Sequence, residues 1–273
     1  MILLNKSKDK IEIWNLAKAL REANKMNLLN KQKSYKHIIE VMGIYLFLSF
    51  SGCLMAVFRK VIFGKTGYKF LIWNLFLAWV PFLLSIIIAY TYALHKRGAF
   101  KTIYLMLLGF VWVAFYPNCP YIVTDFIHLS GVKYYFNSLG YSMNYIIWYD
   151  FIMISLFILT GFLLGFISLY IIQMLIVDIF NKWISWIVVG SVLFLSSFGI
   201  YLGRFIRWNS WDIVSKPKVL LSSILNNSRH YAIEFTISFG LFLILIYVAL
   251  YYLTKLNEYM KFFNTKDELI EGK

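Results

Sequence analysis

Long apolar stretches alternate along the chain with short polar connections, and each stretch is about the length of a bilayer crossing. A spanning helix needs about 17 to 25 predominantly apolar residues. Six runs meet that demand, at about 41–58, 70–94, 102–118, 146–177, 183–206 and 231–254. The third run is the odd one, because Pro117 and Pro120 cut its end. Proline withdraws a backbone donor, and a freed carbonyl at bilayer depth has to find a partner inside the protein. The pattern therefore predicts a helix that ends or breaks at Tyr116-Pro117, followed over 118–129 by a partly buried turn and a short helix.

Outside these runs the character changes. Residues 1–37 carry nine Lys/Arg and three Asp/Glu. Within them Ile13, Leu16, Ala17, Leu20 and Ala23 recur at helical spacing, with Lys18, Arg21 and Lys25 elsewhere around the helix. That is the pattern of a basic amphipathic segment lying on anionic lipid. The predicted organisation is thus a basic segment at 1–37, a six-span transmembrane domain at 38–255 and a tail at 256–273. The fold class is all-α, a polytopic transmembrane helix bundle.

Composition agrees. The 273 residues are 60% hydrophobic and only 15% charged, against about 25% charged in soluble domains. The net charge of +14 would suggest nucleic acid in a soluble protein. Here basic loops next to a bilayer explain it, and no nucleic-acid-binding motif is present, so the expected partner is lipid. With six spans, one side of the membrane collects seventeen Lys/Arg and the other ten. Cytoplasmic loops carry the excess, so both termini are expected in the cytoplasm.

The candidate chemistry collects at one membrane face. Odd-numbered spans end, and even-numbered spans begin, on the same side. There the chain places Asn118, Tyr121, Asp125 and His128 after the third span and Asp150 at the start of the fourth. Arg204, Arg207, Asn209 and Asp212 follow at the end of the fifth. Ionisable groups at bilayer depth are costly and usually face the bundle interior or a watery cavity. Arg204 and Arg207, three apart, would share a helix face and grip a phosphate or carboxylate. Asp125 and His128 have the same spacing, with Tyr121 on that face too. Such a pair can ligate a metal or do acid–base work, and so can Asp150 beside His128. An internal salt bridge between an Asp and an Arg is the structural alternative. Asn209 and Asp212 fit a helix cap as well as a ligand contact. All six ionisable residues, Asp125, His128, Asp150, Arg204, Arg207 and Asp212, are expected to converge in one pocket. Gly161-x-x-x-Gly165 and Gly199-x-x-x-Gly203 are small-residue ridges that allow close helix approach, here between spans four and five. No phosphate loop, dinucleotide fingerprint or metalloprotease motif occurs; no cofactor is expected, and whether Asp125 and His128 hold a metal is left open by the residues.

Two segments, Tyr116-Pro117-Asn118-Cys119-Pro120-Tyr121-Ile122-Val123-Thr124-Asp125-Phe126-Ile127-His128-Leu129 and Gly203-Arg204-Phe205-Ile206-Arg207-Trp208-Asn209-Ser210-Trp211-Asp212, resemble the signatures of the DUF1361 family of bacterial integral membrane proteins. The resemblance spans roughly residues 40–255. It implies location and architecture and transfers no catalytic residue, since that family has no established activity. The family's proline motif usually reads Pro-Asn-Ala-Pro, so Cys119 is a departure.

Three functions fit these residues. One is a binding protein for an anionic headgroup or small anion, with Arg204, Arg207, Asn209, Asp212, Asn118 and Tyr121 as its contacts. Another is a membrane-surface enzyme acting on a lipid-linked or phosphorylated substrate, with Asp125, His128 or Asp150 as its catalytic groups. The third is a structural or accessory membrane protein whose polar cluster pins the helices.

Overall fold

The computed structural model describes residues 36, 38–62, 64, 68–94, 98–131, 134–136, 140–208, 210–215, 218–219 and 229–270. The basic segment at 1–37 and Asn209 therefore lie outside the described residues, apart from Lys36. Six helices are long and apolar enough to cross a membrane, over Ile38–Ile62, Lys69–Ala93, Ala99–Leu129, Tyr145–Ile179, Lys182–Ile206 and His230–Leu256. The protein is an all-α membrane protein with six spans, as the apolar runs predict. Its helices are α1 (Ile38–Ile62), α2 (Lys69–Ala93), α3 (Ala99–Phe115), α4 (Asn118–Tyr121), α5 (Tyr145–Ile179), α6 (Lys182–Tyr201), α7 (Asp212–Ser215) and α8 (Arg229–Ile270). A two-residue hairpin, β1 (Tyr135–Phe136) with β2 (Gly140–Tyr141), precedes α5.

The chain divides after Phe50 into two units. The described part of the first is helical, with Ile39, Ile44, Leu46, Phe47 and Phe50 exposed. In the second unit α2 packs along α5, α3 along α2, and α6 against both α5 and α8. The α5 span is the most buried, at 56% of its apolar window, against 11% for the third span and 17% for the last. Large apolar side chains also face outward, including Phe100, Met106, Leu107 and Phe110 on α3 and Leu245 and Leu253 on α8. A surface apolar on both sides suits hydrocarbon, not water. At 42 residues, α8 is roughly 63 Å long. It continues without interruption through most of the stretch the composition marked as a separate tail.

The third span breaks where the prolines require. Its regular part, α3, has 17 residues and rises about 25 Å, short of a hydrocarbon core of about 30 Å. Pro117 and Pro120 then turn the chain through α4 into a 3₁₀ helix, Ile122–Leu129. The broken stretch satisfies itself locally. The Asn118 Nδ2 donates to the Phe115 carbonyl at 2.8 Å, and the Tyr121 N–H reaches the Pro117 carbonyl at 2.9 Å. Its buried members are Cys119, Pro120, Ile122 and Asp125.

The two glycine ridges explain why this turn fits inside the protein. A Cβ on Gly165 would stand 2.5 Å from the Cys119 Cβ, and one on Gly161 would stand 3.0 Å from Ile122. On the other side, a Cβ on Gly199 would lie 3.1 Å from Pro117, and one on Gly203 would lie 3.2 Å from Tyr121. These glycines thus close on the proline turn and the residues that follow it, while α5 and α6 also pack against each other, as the spacing pointed to. Small residues admit a close neighbour without specifying which one. Cys119 is fully buried there, and its thiol donates to the Ala78 carbonyl at 3.2 Å. Around Pro81, which lies inside α2, the Ser168 hydroxyl likewise donates to the Pro81 carbonyl at 2.8 Å. Cys119 serves packing and hydrogen bonding, which suits a residue that stands where the family pattern has Ala.

Candidate functional site

Arg204 sits in the widened last turn of the fifth span. Leu202–Ile206 is π-helical, and the N–H groups of Arg207 and Trp208 both donate to the Leu202 carbonyl. Arg207 ends the helix in the left-handed conformation, with φ 63° and ψ 38°; it is the one non-glycine with positive φ among the described residues. A non-glycine residue held there costs about 1–2 kcal/mol, and such strain tends to gather at functional sites.

The turn sends its two arginines to different tasks. The Arg204 Nη2 meets the Asp125 Oδ1 at 2.6 Å. Its Nε donates to the Thr124 Oγ1 at 2.9 Å, and its Cζ stands 4.5 Å from the centre of the Tyr121 ring. Asp125 is fully buried, and its second oxygen accepts from the Asn74 Nδ2 at 2.7 Å. One pair therefore ties α2, the 3₁₀ helix and the end of α6 together. His128 stays at the edge, with its Nε2 3.9 Å from Asp125, beyond hydrogen-bond range, and its ring 4.2 Å from that of Phe70.

Arg207 is exposed instead, and no carboxylate among the described residues pairs with it. It lines a cavity of about 300 Å³ with Trp73, Asn74, Asn118, Tyr121 and Trp208. The expected shared face for Arg204 and Arg207 does not form. A spacing of three puts residues on one side of an α-helix, and this turn is π-helical and then left-handed.

The expectation of a single convergent pocket also needs correction. Asp150 pairs with Arg59, whose Nε and Nη2 reach the two carboxylate oxygens at 2.5 and 3.0 Å. The Tyr68 hydroxyl adds a bond to Asp150 at 2.7 Å. Burial first, and then that bond to a carboxylate, push the Tyr68 hydroxyl well above the usual phenol range, so it stays a neutral donor. Arg59 and Tyr68 were absent from the sequence-derived candidates. Arg59 ends the first apolar run, where a cation reads as part of a basic loop. Asp212 is buried at the start of α7 and accepts from the Ser215 hydroxyl at 3.3 Å. Among the described residues no three His, Cys, Asp or Glu side chains come together as metal ligands.

A family model described as "Protein of unknown function (DUF1361)" matches residues 73–246, which takes in the proline turn, both glycine ridges and the arginine turn. No curated protein and no solved structure matches the chain.

Proposed function

The chain belongs to the DUF1361 family, whose description assigns no activity, and we propose from the site alone that it binds an anionic headgroup or small anion in the cavity beside Arg207. The observation that carries this reading is a cation that pairs with no carboxylate among the described residues, held in a strained backbone conformation at the edge of a 300 Å³ cavity. Asn118, Tyr121 and Ser210 supply polar contacts around it. Arg204 contributes indirectly, since Asp125 already neutralises it. The enzymatic alternative is the weaker one. Both oxygens of Asp125 and both of Asp150 are engaged by Arg204, Asn74, Arg59 and Tyr68, which commits both carboxylates to pairing within the protein, and His128 stops short of bonding Asp125.

The test is phosphate binding to the purified full chain in phosphatidylcholine nanodiscs. A hydrogen bond to a charged group contributes about 1.5–3 kcal/mol, so Arg207→Gln is expected to weaken phosphate binding about tenfold or more. Unchanged affinity in that variant removes the proposal.

The Lys/Arg distribution supports both termini in the cytoplasm, the cavity on the outer face and the basic N-terminal segment against anionic lipid, and the resemblance to bacterial membrane proteins suggests a bacterial plasma membrane. A reporter fused after residue 98 is then expected to read inside, and one fused after residue 135 outside. An outside signal at 98 reverses the orientation.

A further inference from the structure

The hydrogen-bonding groups at the cavity narrow the ligand further, on the premise that the anion reading above holds. Two of its lining residues, Asn74 and Asn118, are amides whose orientation is fixed by what their nitrogens do. The Asn74 Nδ2 faces the Asp125 carboxylate at 2.7 Å, where only a donor is tolerated. The Asn118 Nδ2 faces the Phe115 carbonyl at 2.8 Å and the Ser210 Oγ at 3.0 Å. Both nitrogens are therefore committed to the protein, and each residue has its Oδ1 left as an acceptor. Neither Oδ1 accepts a bond from any described residue. The Ser210 hydroxyl, which accepts from Asn118, has its own proton left to donate.

The residues that line the cavity thus carry two kinds of group. Arg207 and Ser210 donate, as an anion requires. Asn74 and Asn118 accept, and a fully ionised phosphate has nothing to give them. Two carbonyl oxygens beside a bare anion would be repelled, and a ligand that left them dry and unpaired would lose affinity. The matching ligand carries hydroxyls beside its phosphate. Trp73 and Trp208, also in the lining, present apolar ring surface suited to the carbon face of such a molecule. We infer that the cavity recognises a polyol phosphate ester, its phosphate held by Arg207 and Ser210 and its hydroxyls donating to the Asn74 and Asn118 carbonyl oxygens. The ester is either a lipid headgroup or a soluble molecule.

The test compares ligands on the unaltered full chain in phosphatidylcholine nanodiscs at about pH 8, where phosphate monoesters with a second pKa of about 6 carry no proton to donate. The probes are propyl phosphate and glycerol phosphate, which differ by two hydroxyls. Glycerol phosphate is expected to bind about 10 to 100 times more tightly, as two added hydrogen bonds provide. Asn118→Ala is expected to shrink that ratio while propyl phosphate still binds. Because Asn118 also supports the Phe115 carbonyl, its unfolding temperature is recorded alongside, and the wild-type ratio stands without the variant. Adding phosphatidylglycerol or phosphatidic acid to the discs separates the sources. Competition by phosphatidylglycerol alone identifies a lipid headgroup, and no competition by either identifies a soluble ester. Equal, Arg207-dependent binding of both probes overturns the polyol assignment and leaves the anion reading standing. Binding of neither overturns both.

Discussion

Replacing Arg204 with alanine is expected to lower the stability of the protein by about 3–5 kcal/mol, because it strands a buried carboxylate. Asp125 has no exposed surface, and its remaining hydrogen-bond donor among the described residues would be the Asn74 amide, with the His128 ring 3.9 Å away. An amide does not neutralise a charge. The loss would appear as a lower unfolding temperature of the purified protein in nanodiscs. Adding Asp125→Asn to Arg204→Ala should recover most of it, since no buried charge then remains to be balanced. A single variant as stable as wild type, or a double variant no better than the single, would mean that the pair contributes little to holding the 3₁₀ helix against α6.

Arg59→Ala is expected to cost a similar amount for the same reason. It removes a bidentate partner from Asp150 and leaves the Tyr68 hydroxyl as that carboxylate's described donor. The more informative experiment combines the two arginine variants. The hydrogen bonds that hold Asp125 and those that hold Asp150 share no residue. The two networks approach each other through the Phe70 ring between Tyr68 and His128, so their effects should add to within about 0.5 kcal/mol, as sites without shared polar partners do. A strong departure from additivity would restore the single convergent site that the sequence suggested. Unfolding of the two single variants and the double variant under one set of conditions decides between them.

The contrast between these pairs shows what a sequence makes legible. Six spans were readable because apolar length is a property of each segment by itself. The break at Pro117 was readable for the same reason, since proline acts on its own neighbours. Partners were harder. Arg59 and Asp150 are separated by 91 positions, and nothing in either segment points to the other. The glycine ridges announced close approach, and α5 and α6 do pack together, yet the atoms nearest those glycines include Pro117, Cys119, Tyr121 and Ile122, from a third segment that each half of the pattern leaves unmentioned. Arg204 and Arg207 were misjudged for a subtler reason. Spacing of three implies a shared face only while the helix stays α, and the π turn followed by a left-handed residue lies beyond any periodicity in the residues. Asp125 and His128 kept their shared side because the 3₁₀ helix brings residues three apart into line, though at 3.9 Å the two stop short of bonding.

This departure from α geometry is also what frees Arg207, and it provides the sharpest test of the account. Glycine adopts the left-handed conformation without the cost that Arg207 bears there, although it loses about 0.4–1 kcal/mol through its more flexible unfolded chain. The decisive measurement is phosphate affinity and unfolding temperature on the same preparation of Arg207→Gly. If Arg207 is strained in the service of binding, the unfolding temperature is unchanged or higher and phosphate affinity falls about tenfold or more. An affinity equal to that of the unaltered protein, or an unfolding temperature several degrees lower, would contradict it.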